Sequence, residues 1–268
     1  MVAILMSTYN GEKYLKEQIN SILHQSEKQW NLFIRDDGST DKTREIVQEF
    51  CSLDERIKFI SGQKNLGASL SFFELLKSID SEYYMFCDQD DFWLDHKVSS
   101  SLSFIKMKEK ENKSIPILCY ADCYVVNKNL EKVSDSFMKE SGLVIQKFRK
   151  KEYLLMKNFS PGCTYIFNRS AVSLITKMKN VPMHDWAAML SVSRAGLIFF
   201  MTQKHLLYRQ HETNVIGVEK FNISNVLNKI FLFKKTLKQQ KKQYIFLKEN
   251  GFVSSQIYYY WLKIKNYF

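Results

Sequence analysis

The sequence is poor in the residues that cross-link or interrupt a chain. Among its 268 residues are three prolines, nine glycines and five cysteines. The cysteines are odd in number, none forms a C-x-x-C pair, and several stand in apolar runs typical of strands. We therefore expect buried free thiols in a reducing compartment, and neither a disulfide framework nor a zinc site. The sequence has no internal repeat and no linker rich in proline, glycine and serine, which favours one domain with at most an appendage.

Long apolar runs are also missing. No stretch reaches the roughly 18 uninterrupted apolar residues that a membrane-spanning helix needs. The apolar start, "MVAILM", has no basic segment before it and no cleavage site after it, so we expect no signal peptide. With 45% hydrophobic and 25% charged residues, the composition is that of a globular protein. We expect a cytoplasmic protein that is soluble or attached to a membrane surface.

Acidic residues are nearly absent from the C-terminal region. Between Lys220 and Phe268 the sequence has ten lysines and one acidic residue, Glu249, so +9 of the net charge of +11 lies there. A nucleic-acid-binding protein would line a groove with its basic residues, so this confinement argues against nucleic acid as a partner. We predict a body, residues 1–218, and a basic, aromatic-rich helical extension, residues 219–268. Two hypotheses stay open for the extension: contact with an anionic membrane surface, or packing on the body or on a second subunit in a homo-oligomer.

Strand-like and helix-like segments alternate through the first 90 residues. Short apolar runs at 2–7, 31–37, 56–62 and 83–88 alternate with helical spacings at 12–25, 38–50 and 68–79. This alternation predicts an α/β fold whose parallel sheet is covered on both faces, with ligands bound at the carboxyl ends of the strands. The later segments predict one or two strands within 115–127, a helix at 148–158, a strand and helix at 162–178 and a helix at 182–196. They also predict a strand at 197–200, a strand running into a loop at 205–217, and helices at 222–250 and 254–268.

Polar residues follow three of these strands. The stretches are "STYNG" (7–11), "RDDGSTD" (35–41) and "DQDD" (88–91), and a parallel sheet brings them to one edge. The carboxylates Asp88, Asp90 and Asp91 fit two hypotheses. They form a solvated acidic loop that caps the next helix, or they bind a divalent cation, since Mg²⁺ and Mn²⁺ prefer carboxylate ligands.

Three other segments are ambiguous by themselves. Asp37 stands in a turn that starts a capped helix, or it accepts the imide N–H of a uracil or thymine, with Thr8 at the same edge. Asp185 is favoured at a helix N-terminus by its charge alone, or it acts as a general base. His211 lies in the polar stretch "YRQHE"; it either has a structural role or completes a metal site, with Arg209 near a phosphate.

Together, these segments resemble bacterial glycosyltransferase family 2, and within it the rhamnosyltransferase-like branch that builds surface polysaccharides. The resemblance covers about residues 1–217. "STYNG", "DDGSTD" and the D-x-D run are shared widely in that family, whereas "DQDDFW", "HDW" and "YRQH" are more specific to the branch. The segments that carry it are "STYNGEKYLKEQINSILHQS", "IRDDGSTDKT", "NLGASLSF", "CDQDDFWLDHKV", "HDWAAML" and "YRQHETNVIG".

The resemblance implies a GT-A fold, in which a Rossmann-like nucleotide-binding half is fused to an acceptor half around a mixed, mostly parallel central sheet. It also implies a nucleotide-diphosphosugar donor, a Mn²⁺ or Mg²⁺ cofactor, and inversion at the anomeric carbon. Carried over by position, the implied roles are nucleobase contacts for Thr8, Asn10 and Asp37, ribose or donor-sugar contacts for Asp88, metal binding for Asp90 with His211, a place near phosphate for Arg209, and the general base for Asp185.

The implied reaction adds one sugar. "YRQHE" stands where a processive synthase has Q-x-x-R-W. The expected donor is dTDP-rhamnose or a UDP-hexose, and the expected acceptor is a polyprenyl-diphosphate-linked saccharide at the inner face of the plasma membrane, in capsule, O-antigen or cell-wall synthesis. Two alternatives remain. One is a catalytically inactive scaffold of the same family, and the other is a sugar-nucleotidyltransferase, against which "STYNGEKY" argues because it has one glycine and no arginine.

Overall fold

The computed structural model describes residues 1–60, 62, 64–143, 151–156, 158, 160–211 and 226–267. The predicted boundary near residue 218, the loop after 211 and the start of the predicted helix 148–158 lie outside these residues. Every strand and helix predicted for the first 90 residues is confirmed. They are β1 (Val2–Thr8), α1 (Leu15–Leu23), β2 (Trp30–Asp36), α2 (Thr43–Leu53), β3 (Ile57–Ile60), α3 (Ala68–Ser78) and β4 (Tyr83–Cys87).

Helix α2 begins at Thr43, after the Ser, Thr and Asp residues with which the predicted helical segment 38–50 starts. The Asp36 carboxylate accepts hydrogen bonds from the N–H groups of Gly38 and Ser39, which turns the chain after β2. The Asp41 carboxylate then accepts from the N–H of Thr43 at 3.0 Å and satisfies a donor of the first helical turn. The stretch between β2 and α2 is therefore a hydrogen-bonded turn at the edge of the sheet.

The second half of the chain adds short strands and further helices. Residues 115–127 form two strands, as one of the predicted arrangements had it, and the helices predicted near 182–196, 222–250 and 254–268 are present. The pattern did not predict β5, β8 or α5. The elements are β5 (Phe92–Trp93), α4 (Lys97–Glu111), β6 (Ile117–Ala121), β7 (Tyr124–Val126), β8 (Lys132–Ser134), α5 (Phe137–Glu140), α6 (Lys151–Met156), β9 (Ile166–Asn168), α7 (Arg169–Ile175), α8 (His184–Ala195), β10 (Leu197–Met201), β11 (Leu206–Arg209), α9 (Val226–Glu249) and α10 (Gln256–Tyr267).

A seven-stranded sheet forms the centre of the molecule, in the order β10-β6-β9-β4-β1-β2-β3. Its neighbouring strands are parallel except at β9, which is antiparallel to both β4 and β6. Strands β4 and β6 are buried along their whole length, as expected for a sheet covered on both faces. The mixed, mostly parallel sheet predicted from the sequence is therefore confirmed.

A second, four-stranded sheet in the order β5-β11-β7-β8 carries the segment that completes the cleft. Strand β5 begins at Phe92, directly after the three aspartates, and pairs antiparallel with β11. In this pairing Leu207 lies opposite Phe92. The residues after β11 are consequently held beside the acidic segment, although more than 100 residues separate them in sequence.

The C-terminal helices α9 and α10 pack on the body through one apolar side. Phe246, Leu247, Tyr259 and Leu262 are fully buried, and the ring of Phe246 lies 5.2 Å from that of Trp186 in α8. No helix among the described residues combines the length and the apolar character needed to cross a bilayer.

Candidate active site

A cleft opens at the carboxyl ends of β1 and β4. Tyr9, Asp88 and Asp90 line it from the first half of the chain, and Gly162, His184 and Asp185 line it from the second half. The predicted convergence of strand ends is thus present. The loop before β9 and the first turn of α8 form the opposite wall.

The acidic segment after β4 holds carboxyl groups in an environment that disfavours their charge. Burial, followed by the charges of Asp90 and Asp185, raises the pKa of Asp88 to about 7. Asp91 is 1% exposed, and burial raises its pKa well above the ordinary value. Its Oδ1 accepts from the N–H of Arg209 at 3.0 Å, and its Oδ2 has no hydrogen-bond partner within the described part of the chain. A bound cation at this edge would stabilise the charged carboxylates.

Asp90 and His211 form the pair that best fits such a cation. The Oδ2 of Asp90 lies 2.9 Å from the Nε2 of His211. Neighbouring ligands in an octahedral site with bonds of about 2.1 Å are about 3.0 Å apart, so both atoms can bind one ion with little movement. Carboxylate oxygen and imidazole nitrogen together suit Mn²⁺, and carboxylates also bind Mg²⁺. The two residues predicted as metal ligands are therefore brought together.

A second group of potential ligands lies deeper. Ligand atoms of Asp88, Asp91 and Cys163 lie within 4.8 Å of one another. Burial raises the pKa of the Cys163 thiol well above its ordinary value, and a protonated thiol is a poor ligand. A positive side chain, Lys97, is buried near this group and interacts electrostatically with Asp91. Lys97 is 2% exposed, and its Nζ lies 4.6 Å from the centre of the Trp93 ring. Sequence reasoning missed Lys97, because one lysine after an acidic run does not indicate its own burial.

Arg209 lies behind the acidic segment and is 1% exposed. Its Nε donates to the carbonyl of Asp90 at 2.7 Å, its Nη1 donates to the carbonyl of Lys128 at 2.7 Å, and its Nη2 pairs with Glu17. The guanidinium also stands 4.6 Å from the centre of the Tyr14 ring. We predicted Arg209 near a phosphate. Its hydrogen bonds support the backbone that presents Asp90, and its place near a phosphate stays a prediction.

The residues predicted to contact a nucleobase lie at the ends of β1 and β2. Thr8 Oγ1 donates to Asp36 Oδ1 at 3.1 Å, and Asn10 Oδ1 accepts from the N–H of Thr40 at 2.9 Å. Burial raises the pKa of Asp37, but hydrogen bonds from Leu66, Arg35, Ser71 and Gly67 bring it below its ordinary value. The described lining of the cleft includes their neighbours Ser7 and Tyr9 but none of these three side chains, and Thr8 and Asp37 are at most 2% exposed. Their contacts with a base remain predictions.

Sequence reasoning did not assign a role to Tyr9. Its side chain is half exposed and lines the cleft. The Gln89 amide fixes the backbone of Tyr9 by accepting from its N–H at 2.9 Å and donating to its carbonyl at 3.1 Å. An exposed ring on a rigid support is suited to stack on a planar base. The signal in the sequence is an aromatic residue directly after the first strand.

The opposite wall presents Asp185 in the first turn of α8. Asp185 is 4% exposed, and its Oδ2 accepts from the N–H of Gly162 at 3.3 Å. A Cβ on Gly162 would lie 2.8 Å from the Cβ of Asp185, so only glycine allows this approach. Since its charge raises the pKa of Asp88, Asp185 acts across the cleft on the acidic segment. A carboxylate in this position can accept a proton from a bound hydroxyl.

The sequence and the fold are both similar to those of known proteins. The sequence model described as "Glycosyl transferase family 2" matches residues 3–174. The chain belongs to glycosyltransferase family 2. It is accordingly a glycosyltransferase, and the predicted family and activity class are confirmed. Similar proteins include the dTDP-rhamnosyl transferase RfbG of Shigella flexneri. The two are 30% identical over an alignment of 230 residues, which covers 79% of this chain and 73% of RfbG.

One further sequence relative and one solved structure are also similar to this chain. The UDP-Glc:alpha-D-GlcNAc-diphosphoundecaprenol beta-1,3-glucosyltransferase WfgD of Escherichia coli is 30% identical over 174 residues, 65% of this chain and 62% of WfgD. A crystal structure of TarS 1-349 of S. aureus with UDP-GlcNAc aligns with a TM-score of 0.60 and 18% identity, covering 83% of this chain and 62% of that chain. The chain thus spans less than two thirds of WfgD and of this TarS fragment. The structural likeness confirms the GT-A fold.

Proposed function

We propose that this family 2 glycosyltransferase transfers one sugar from a nucleotide-diphosphosugar to an acceptor hydroxyl, with a divalent cation bound by Asp90 and His211. The observation that carries the proposal is the 2.9 Å approach of Asp90 and His211 in a cleft that also presents Asp185. Those three residues come from three separate stretches of sequence. Asp90 and His211 stand together after β4 and β11, and Asp185 stands on the opposite wall of the cleft, which gives the parts that metal-dependent transfer requires.

The donor would lie with its base at the ends of β1 and β2 and its diphosphate beside Asp90. Tyr9 offers a stacking surface for the base. Contacts of Thr8, Asn10 and Asp37 with the base are part of the proposal, and the hydrogen bonds of Thr8 and Asn10 to the turn after β2 hold this edge of the sheet together. We expect dTDP-rhamnose or a UDP-hexose. The likeness to RfbG, named a dTDP-rhamnosyl transferase, favours the first. The second draws support from WfgD, named a UDP-Glc transferase, and from TarS, solved with UDP-GlcNAc.

The reaction we propose is an inverting displacement. Asp185 takes the proton of the acceptor hydroxyl, the oxygen forms a bond to the anomeric carbon, and the bond from that carbon to the diphosphate oxygen breaks on the opposite face. A cation held by Asp90 and His211 would stabilise the charge of the departing diphosphate. A structural neighbour, the mannosyltransferase PcManGT from Pyrobaculum calidifontis, was solved with GDP-Man and Mn²⁺, which agrees with Mn²⁺ or Mg²⁺ as the cofactor. Asp88 stays beside the donor sugar in this arrangement.

The acceptor we propose is a saccharide on polyprenyl diphosphate, in the synthesis of a bacterial surface polysaccharide. WfgD is named for a diphosphoundecaprenol-linked acceptor. We place the enzyme at the cytoplasmic face of the membrane, with residues 1–218 as the catalytic domain and the extension, residues 219–268, as the region nearest the lipid. The ten lysines of that extension support this orientation.

The test is calorimetric binding of UDP, dTDP, GDP and CDP, each with and without Mn²⁺. We expect Mn²⁺-dependent binding of UDP or dTDP, and loss of that dependence in Asp90→Asn. The control is Asp80→Asn, which removes an aspartate whose side chain is 80% exposed and lies on the surface in an ion pair with Arg169. If no nucleotide binds in the presence of metal, the proposal is wrong and the inactive scaffold becomes the better hypothesis. Formation of a nucleotide-sugar from a nucleoside triphosphate and a sugar 1-phosphate would support a sugar-nucleotidyltransferase instead.

A further inference from the structure

Helix α10 has two apolar sides, and only one of them is covered. The covered side carries Tyr259 and Leu262, which are fully buried against the body. Ile257, Trp261 and Ile264 recur at spacings of four and three residues, so they share one side of the helix, opposite the covered one. Their exposures are 83%, 50% and 64%. A helix on the surface of a soluble domain normally places polar residues there.

We call this side the outer face of α10 and define it by Ile257, Tyr258, Trp261, Ile264 and Lys265. Its members form one continuous surface. The rings of Tyr258 and Trp261 stack with centroids 5.9 Å apart, and the Nζ of Lys265 stands 4.9 Å from the centre of the Trp261 ring. Contiguous exposed apolar groups of this kind mark a surface that binds something.

The net charge of the two C-terminal helices selects among partners. Four exposed lysines of α9 belong to the same pair of helices, and the one acidic residue between 220 and 268, Glu249, is hydrogen-bonded to Asn180 of the body. Two copies of this surface would bring like charges together, which disfavours a dimer through it. A bilayer with anionic lipid offers the opposite charge, and its attraction reaches about 10 Å at 0.1 M salt. The lysines are Lys238, Lys241, Lys242 and Lys248.

The chemistry of the outer face fits the same partner. Tryptophan and tyrosine are enriched where a membrane meets water, because each has an apolar body and a polar tip. Helices that lie in this interface combine bulky apolar residues on one side with nearby lysines. On α10 the two isoleucines flank Trp261, and Lys265 sits at the edge of the same side.

We propose that the outer face of α10 binds the surface of an anionic bilayer, with Ile257, Trp261 and Ile264 inserted among the lipid headgroups and the lysines of α9 and α10 above them. The inference rests on the proposed function for its purpose, because an enzyme held at the bilayer meets a lipid-linked acceptor there. It goes beyond that function in naming the surface and the residues that make contact.

Intrinsic fluorescence gives a direct test. The protein has four tryptophans, and Trp30, Trp93 and Trp186 are at most 2% exposed, whereas Trp261 is half exposed. Vesicles of phosphatidylcholine with 30% phosphatidylglycerol (about one lipid in three anionic) should shift the emission of the full chain to shorter wavelength. Vesicles of phosphatidylcholine alone should not. The shift should vanish in Trp261→Phe. A shift that persists in that variant would place the contact elsewhere and overturn the proposal.

Sedimentation with the same vesicles measures how much the outer face of α10 contributes to vesicle binding. In the triple variant Ile257→Ser, Trp261→Ser, Ile264→Ser we expect at least a tenfold lower partition coefficient. A matched control replaces three apolar residues exposed on other elements, Leu53→Ser, Met107→Ser and Val133→Ser, which are 71%, 45% and 66% exposed, and should partition as the unsubstituted protein does. Equal partitioning of the two triple variants would overturn the proposal. So would a dimer of the unsubstituted protein, seen by light scattering, that the first triple variant abolishes.

Nucleotide binding separates the two proposals. Calorimetry without vesicles should give the first triple variant the same Mn²⁺-dependent nucleotide affinity as the unsubstituted protein, because α10 contributes no residue to the cleft described here. A protein that binds vesicles through α10 but binds no nucleotide would refute the proposed function and leave this inference standing. A protein that binds nucleotide but not anionic vesicles would refute this inference and leave the proposed function standing.

Discussion

Replacement of His184 by phenylalanine should make the protein more resistant to acid. The His184 ring stacks on Phe72 with centroids 3.9 Å apart and meets the edge of Phe86 at 4.8 Å. Its Nε2 is buried and finds no hydrogen-bond partner in the described parts of the structure. Burial lowers the pKa of His184 to about 4, from an ordinary value of 6.5. Phenylalanine keeps the ring and removes the group that must stay neutral.

The sign and size of the effect follow from proton binding. Between pH 6.5 and 4 the unfolded chain takes up a proton at His184 that the folded chain does not, so stability falls as the pH falls. The full difference of 2.5 pH units corresponds to about 3 kcal/mol, and about 2 kcal/mol of it is present at pH 5. Asp88 acts in the opposite direction. Its pKa is raised to about 7, so its contribution to stability decreases as the pH rises from about 4 to 7.

A comparison of two proteins at each pH removes the effect of Asp88. Urea denaturation of the unsubstituted protein and of His184→Phe at pH 7.5, 6, 5 and 4.5 gives the difference in unfolding free energy. We expect that difference to grow in favour of the variant by about 2 kcal/mol between pH 7.5 and pH 5. His24→Phe, a substitution at an exposed position of α1's C-cap, is the reference: it replaces a histidine outside the cleft, and the growth for His184→Phe is measured against it. A pH-independent difference would mean that His184 is accessible to protons in the folded state, and the packing argument would be wrong.

Three further substitutions test the cleft. Asp185→Asn should lower the transfer rate by about 10²–10⁴-fold while calorimetry shows unchanged nucleotide affinity, and a full rate would remove Asp185 from the role of base. Gly162→Ala places a Cβ 2.8 Å from the Cβ of Asp185, so steady-state kinetics should show a reduced kcat with little change in donor KM; equal kcat would show that the two segments separate freely. Glu17→Gln should weaken Mn²⁺ binding in calorimetry, because it loosens the Arg209 guanidinium that supports the backbone at Asp90. Glu49→Gln, at an exposed ion pair, is the control and should not weaken it. Equal affinities of the two variants would show that the Glu17–Arg209 pair does not support the proposed metal site.

The parallel part of the sheet could be predicted because its strands are continuous apolar runs. Val2 to Met6 are at most 1% exposed, and all five residues of β4 are buried. Such runs leave a signal that needs no knowledge of the partner strand. Strand β5 has two residues and β8 has three, which is too short for any periodic pattern. These strands exist because β11 and β7 pair with them.

In the candidate site, too, some residues could be placed from the sequence and others could not. Asp88 and Asp90 could be placed from sequence, since residues that directly follow parallel strands meet at one edge. The positions of Arg209 and Lys97 could not. Arg209 gains its partners from segments 81 to 192 residues away, and a side chain with several donors fits many arrangements equally well. The neutral state of His184 likewise depends on the Phe72 ring, which reaches it only through the fold.

The pairing of Asp90 with His211 also sets an order of events during synthesis. The two residues are 121 positions apart, and β11, which delivers His211, pairs with β5 directly after the aspartates. A ribosome must therefore make most of the chain before Asp90 and His211, the two proposed cation ligands, can meet. Until then the acidic edge of the sheet carries its carboxyl groups without His211, without the guanidinium of Arg209 and without a complete ion site. A nascent chain that ends at residue 174, where the family match ends, would have the strands of the nucleotide-binding half but only Asp90 of the two proposed ligands. Under the proposed function, the two cation ligands therefore come together late in synthesis, when β11 pairs with β5.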